Sequence, residues 1–341
     1  MKPVSTEQTD FAESVGALLH KRDPLGPMRH APGPRTFDAG LWAELTANGL
    51  LEPAEAGDVV TACLVAEALG RAAAPLPFLS ASVAGALIGP AGGEVTGLST
   101  YGLLAEDGTW SAPALGYRDG LVHGTLPFVP DGDIADVVVA AVETADGPRL
   151  ALVRTSDTTI EPLENLDATQ PLVRVVCDGA PATLLPAGGE SLASVVGEAR
   201  LLALALHCAT LLGLAAWLLD TTVEYAGRRV QFGMPIAARQ AAKHRCASML
   251  IQVESIRSMV LELADALESG AGDRALVAAT AMAWTTEAAE EVAGGALQLH
   301  GGIGFTWEHD LHHYFKRCTV GALLLGTAAH HRARVAAALT A

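Results

Sequence analysis

Two stretches, Arg229-Val-Gln-Phe-Gly-Met-Pro-Ile236 and Gln298-Leu-His-Gly-Gly-Ile-Gly-Phe-Thr-Trp-Glu-His-Asp310, decide how the rest of the chain is read. Their residue types suit a phosphate group and whatever it carries. Arginine keeps its charge and offers a planar fork of donors that matches phosphate oxygens two at a time. Gln231, Gln240 (eight residues after Phe232) and Gln298 bring amide donors and acceptors. Gly301 and Gly302, just past a helical run, offer backbone N–H groups with no Cβ in the way. Taken singly, Arg229 reads as a surface ion pair and the glycines as a helix C-cap. Together, across one long helical lobe, they read as a binding motif.

Around these motifs, from about residue 188 to the end, the helices are long. Met249, Val253, Ile256, Val260, Leu263 and Leu267 alternate steps of four and three, a continuous seam for another helix, and Gly270 and Gly272 end it. Further helices are expected from roughly Ala275 to His300 and from roughly Asp310 to the C-terminus. The apolar run Leu201 to Leu219 is long enough to span a bilayer. It contains His207, Thr210 and Gly213, however, and its helical pattern continues through Asp220, Glu224 and Tyr225. It is therefore read as the central helix of a four-helix bundle, with no membrane as partner.

The preceding stretch has a different texture. Between about 96 and 187, short β-branched runs (Ile134 to Val142, Leu150 to Val153, Leu172 to Val176) are separated by Gly, Asp and Pro, which predicts a small antiparallel sheet. Residues 1 to 95 are again helical. Ser5 and Gln8 form a capping box ahead of an apolar face of Phe11, Val15, Leu18 and Leu19. A helix around Leu41–Leu45 closes at Gly49, and another from about Asp58 to Arg71 ends near Gly70, before prolines at 75 and 77 turn the chain. The expected fold is α+β: an N-terminal helical domain (1–95), a central β-domain (96–187) and a C-terminal four-helix bundle (188–341).

Half of the 341 residues are hydrophobic and 18 % are charged, so the chain is globular rather than disordered. Its formal charge of −16 argues against nucleic acid and anionic lipid as partners. The five cysteines show no paired spacing and the N-terminus lacks a signal-peptide pattern, which points to isolated thiols in a reducing cytoplasm.

The two quoted stretches, with the weaker match Val65-Ala-Glu-Ala-Leu-Gly-Arg-Ala72 and the α–β–α order, closely resemble the acyl-CoA dehydrogenase family. The resemblance covers nearly the whole chain. It implies FAD as cofactor, an acyl-CoA substrate and an electron-transfer acceptor. It also implies that Arg229, Gln231, Phe232, Gln240, Gln298, Gly301 and Gly302 reach across a dimer interface to the pyrophosphate and adenine end of an FAD held mainly by the neighbouring subunit.

The same resemblance marks what is missing. The family's base is a glutamate immediately before a Gly-Thr pair. Here the pair is Gly326-Thr327, and Leu325 precedes it, 23 residues after Gly302. A minority of members carry the base 26 positions before the arginine; that position is Ala203, beside Leu204. The flavin-touching Thr-Glu-Pro turn reads Ala105-Glu106-Asp107, and the ring-flanking segment reads Phe128-Val129-Pro130, with Ser111 a stand-in for a pyrophosphate serine. No catalytic residue is assigned. Groups serving a neighbour's flavin are kept while those serving the chain's own are lost, as in the degenerate subunit of actinobacterial α2β2 steroid acyl-CoA dehydrogenases. The implied role is a non-catalytic subunit that completes the FAD site of a homologous, Glu-bearing partner in a heterotetramer.

Two alternatives stay open: a self-sufficient homomeric dehydrogenase with a relocated base, Glu198 first, and a non-redox interaction subunit. Glu198 otherwise reads as a helix N-terminal charge, Glu308 and Asp310 as the start of the last helix. His309, His312, His313, His330 and His331 lack metal-ligand spacing. His207 and His244 read as core or flavin-edge groups, and Trp217 and Trp284 as bundle core.

Overall fold

The computed structural model describes residues 3–29, 33–90, 92–93, 95–111, 115–186 and 191–340. Among these residues five α-helices come first: α1 (Thr6–Arg22), α2 (Ala39–Ala47), α3 (Glu52–Ala56), α4 (Val59–Arg71) and α5 (Phe78–Ile88). The capping box at Ser5 and Gln8 is present, each side chain bonding the other residue's backbone N–H. The prolines at 75 and 77 turn the chain only to start another helix, because proline is tolerated where a first turn has no N–H to give. That helix, α5, the sequence reading did not foresee.

Among the described residues, seven strands follow: β1 (Ser99–Gly102), β2 (Leu115–Arg118), β3 (Leu121–Pro130), β4 (Val137–Thr144), β5 (Gly147–Arg154), β6 (Thr159–Pro162) and β7 (Leu172–Leu184). They pair in the order β1-β4-β2-β3-β7-β5, with β6 on β7, and β5 also pairs with β4, so the path closes on itself. Closure removes most of the free edge. The sheet is antiparallel except that β1 and β2 run parallel to β4. Along β4 the alternation sends Val138, Ala140 and Val142 into the sheet's own core, and Val139 and Ala141 toward the helices.

The C-terminal helices are α6 (Leu192–Arg228), α7 (Gln240–Glu268), α8 (Arg274–His300), α9 (Leu311–Gly321) and α10 (Ala328–Thr340). In the most apolar window of α6, 89 % of residues are buried inside the protein, so this helix is the axis of the core. On α7, Met249, Val253, Ile256, Val260 and Leu263 are buried along the expected seam, while Leu267 is half-buried. The expected final helix is in fact two, broken over residues 322–327, where Leu325 and Gly326 adopt left-handed backbone conformations. Gly70 does not cap α4. It lies where α4 crosses α6, and a Cβ there would overlap the Thr210 carbonyl, just as one on Gly213 would overlap that of Glu67. The lobes are locked by backbone-to-backbone approach.

Candidate functional site

The motifs at 229 and 298 meet at one end of the bundle. Arg229 caps α6, its N–H bonded to the Tyr225 carbonyl. The chain then makes a two-residue hairpin, Val230–Gln231 against Met234–Pro235, with Phe232 (φ 55°) and Gly233 (φ 80°) at its tip. Two left-handed residues match the twist of a tight hairpin, and glycine takes the second position without strain. Phe232 is 87 % exposed, with the Arg239 guanidinium 5.0 Å from its ring centroid. Val230 and Met234 are also exposed, and Gln240 opens α7. The hairpin is a projecting hook with an apolar tip.

One turn before Arg229, Tyr225 stacks on His300, with centroids 4.4 Å apart, and its hydroxyl donates to the His300 carbonyl. His300 is buried; its Nδ1 lies 2.9 Å from the Ala296 carbonyl, and burial lowers its pKa. Gly301, next in line, has φ 62° and ψ −139°, a region essentially reserved for glycine. Beyond both Gly301 and Gly302, the space a Cβ would occupy is open. Gln298 is exposed on the last turn of α8.

From Arg229 to Val253 the chain carries no carboxylate. Its four cations, Arg229, Arg239, Lys243 and Arg245, are exposed and form no ion pair among the described residues. By contrast, Arg22, Arg29, Arg35, Arg71 and Arg257 all hold carboxylates. Contrary to expectation the Gly301 N–H is taken by the Leu297 carbonyl and the Gln231 amide by that of Val230, but the exposed cations and the open space beside Gly301 and Gly302 suit an anionic group arriving from outside.

The second place of interest is internal. Leu325, 4 % exposed with φ 62°, lines a cavity of about 40 Å³ with His207, Tyr101, Leu104, Pro130 and Asp131. Leu104 adjoins the Ala105 turn, and Pro130 ends the segment beginning at Phe128. Of the positions that depart from the family pattern, Leu325 and Pro130 line this small hole, and Leu104, which bridges to Phe128, lines it beside Ala105. His207 Nε2 lies 2.8 Å from the Gly321 carbonyl, and behind Leu325 His331 Nε2 lies 3.0 Å from the Leu325 carbonyl. Burial pushes both imidazoles down to about 4.

Glu198 is not at this cavity. It faces a separate surface groove, pairs with Arg274, and lies nine residues from His207, roughly 13 Å along the helix. It also sits in the second turn of α6 rather than at its N-terminus. The carboxylate that does border the cavity is Asp131, which the sequence analysis did not single out. It is bound by the buried Arg35 guanidinium and the Ser80 hydroxyl. Other expectations change too. Asp310 gives α9 no side-chain cap but accepts from Arg29 at 2.7 Å. Trp217 stacks on Tyr314 at 3.6 Å, whereas Trp284 is 43 % exposed and not core; His207 is buried and His244 exposed.

The architecture is thus a set of short N-terminal helices, a closed sheet and a bundle of long helices, with four exposed cations at one corner. Residues 200–340 match the acyl-CoA dehydrogenase C-terminal domain. The chain is 34 % identical over 332 residues to the acyl-CoA dehydrogenase IpdE2 of Mycolicibacterium smegmatis, covering 95 % of this chain and 96 % of that one. Its fold matches a chain of the ChsE4–ChsE5 complex from Mycobacterium tuberculosis, with a TM-score of 0.86 and 24 % identity over 100 % of this chain and 99 % of that one. It also matches the Tcur3481–Tcur3483 steroid ACAD G363A variant, with a TM-score of 0.85 and 24 % identity over 98 % of each chain. The chain belongs to the acyl-CoA dehydrogenase family.

Proposed function

We propose that this chain is the non-catalytic subunit of a heteromeric, FAD-dependent acyl-CoA dehydrogenase, and that it completes the FAD site of a homologous, Glu-bearing subunit. The observation that carries this reading is the cavity at Leu325. Sites for cofactor-sized ligands run to about 300–1,000 Å³, and this one holds about 40 Å³ with leucine at the base position. Leucine accepts no proton, and Asp131 is held by Arg35 and Ser80, so proton abstraction falls to the partner.

In this reading Arg229 binds the pyrophosphate of the partner's FAD. The Gly301-Gly302 turn admits it, Gln231, Gln240 and Gln298 address its ribose and adenine, and Phe232 packs at the subunit junction. When bound, FAD supplies the hydride acceptor for α,β-dehydrogenation of the thioester. The acyl group we favour is steroid-derived, supported by the steroid enzyme among the matching folds. The lobes divide, on this reading, at about residues 95 and 187.

The visible spectrum tests this. The chain purified alone should be colourless, and co-expressed with the family member encoded beside it, it should give a yellow complex with one FAD per heterodimer. A yellow chain alone that bleaches with an acyl-CoA would sink the proposal. Asp131→Asn and Glu198→Gln would then decide which carboxylate serves as base. No FAD with any partner would leave an interaction subunit.

A further inference from the structure

The loop between β6 and β7 meets α9 over a buried polar cluster that the proposed function does not use. Asp167, His313 and Arg317 are each at most 4 % exposed. Asp167 Oδ1 accepts from the backbone N–H and the hydroxyl of Thr169, while its Oδ2 has no partner among the described residues. Arg317 donates Nη1 to the Ala74 carbonyl and leaves its Nε–H unmatched. His313, one turn earlier on the same face of α9, bonds the Met28 backbone and leaves Nε2 unmatched. Asp167 stands near enough to bear on the charge of both, yet its free oxygen bonds neither. Enclosed polar groups are costly without partners.

Their chemistry selects what can join them. An anion would face the Asp167 carboxylate, and a cation would face the Arg317 guanidinium. A small neutral molecule that both donates and accepts suits all three. Burial favours the neutral His313 ring, whose N–H serves Met28 and whose Nε2 is then an acceptor. We propose that one buried water bridges the three, accepting from Arg317 Nε and donating to Asp167 Oδ2 and His313 Nε2. Three hydrogen bonds are about the usual number for a buried water. The bridge has a mechanical consequence. The β6–β7 loop supplies Gln170 and Pro171 to one wall of the cavity at Leu325, and the segment after α9 supplies Leu324 and Leu325 to another. The water clamps these walls together through a solvent-bridged ion pair.

A crystal structure of the full chain, fine enough to show waters, tests the bridge directly. It should show one peak within hydrogen-bond distance of all three atoms, with no anomalous signal after growth in bromide. Hydrogen exchange tests the clamp. His313→Phe keeps a ring on α9 but removes one of the three bonds, and Asp167→Asn removes the charge from the loop. The Leu163 amide donates to the Leu172 carbonyl across the base of that loop. In each variant it should exchange about tenfold faster, the worth of a hydrogen bond to a charged group. Amides of α7 should keep the parent's rates. Direct contact between Asp167 and Arg317, no peak or a bromide peak between them, or an unchanged Leu163 amide in both variants would overturn the bridge. Should a variant fail to fold, the parent's crystal still decides. Neither measurement depends on FAD or on a partner.

Discussion

At residue scale, the proposed separation of binding from chemistry turns on Arg229 and Leu325. Arg229 is exposed, unpaired and fixed by the helix end it caps. Arg229→Gln keeps hydrogen-bonding capacity but loses the charge and the fork. FAD should leave the complex about 10- to 100-fold more readily, the range for a charge-assisted bond, as read by flavin fluorescence on dilution. Leu325 is the reverse case, buried in a small pocket with its carbonyl held by His331. Leu325→Glu restores the family's base without making room for a ring. The isolated variant should stay inactive with an acyl-CoA and a dye acceptor, and be less stable by about 2 kcal/mol or more from burying an unpaired carboxyl. Turnover by that variant would refute the closed-pocket argument.

At the scale of elements, the crossing of α4 and α6 governs how the N-terminal lobe meets the bundle. Gly70 and Gly213 let the two backbones touch, and neither helix can move apart without opening the Leu69, Leu212 and Ala209 core. Gly213→Ala should destabilise the protein by about 3 kcal/mol or more, the upper end for overpacking against unyielding backbone. Urea unfolding followed by circular dichroism would measure it. Gly227→Ala is the control: it lies on the same helix with nothing within 4 Å of the added carbon, and should be nearly silent. The break between α9 and α10 likewise follows from local crowding. The Cβ that Gly326 lacks would stand 2.9 Å from His330 and 3.0 Å from His331.

For the whole molecule, buried histidines set the response to acid. Burial holds His207, His312 and His331 at about 4, below the 6.5 of an exposed imidazole. Between those values the unfolded chain binds more protons than the folded one. Stability is therefore full above about pH 6.5 and drains away as pH falls toward 4. His207, wholly enclosed and bonded to the Gly321 carbonyl, accounts on its own for on the order of 3 kcal/mol. Thermal melts from pH 7.5 to 4.5 should show this fall, and His207→Gln should flatten it. A melting temperature unchanged over that interval would contradict the burial argument.

The sequence by itself determined the fold class, the α7 seam and the corner residues Arg229 and Gly301, because periodicity and short motifs are written in neighbouring positions. It also showed that Leu325 could not act as a base. It did not show that Leu325, Pro130, Leu104 and His207 share one cavity, nor how small that cavity is. Those residues come from different strands and helices, and volume exists only once they pack. Asp131 beside Arg35, the Gly70–Gly213 crossing and the broken last helix were hidden for the same reason. Each depends on what stands opposite in space, and a residue's partner across the core leaves no mark on its neighbours along the chain.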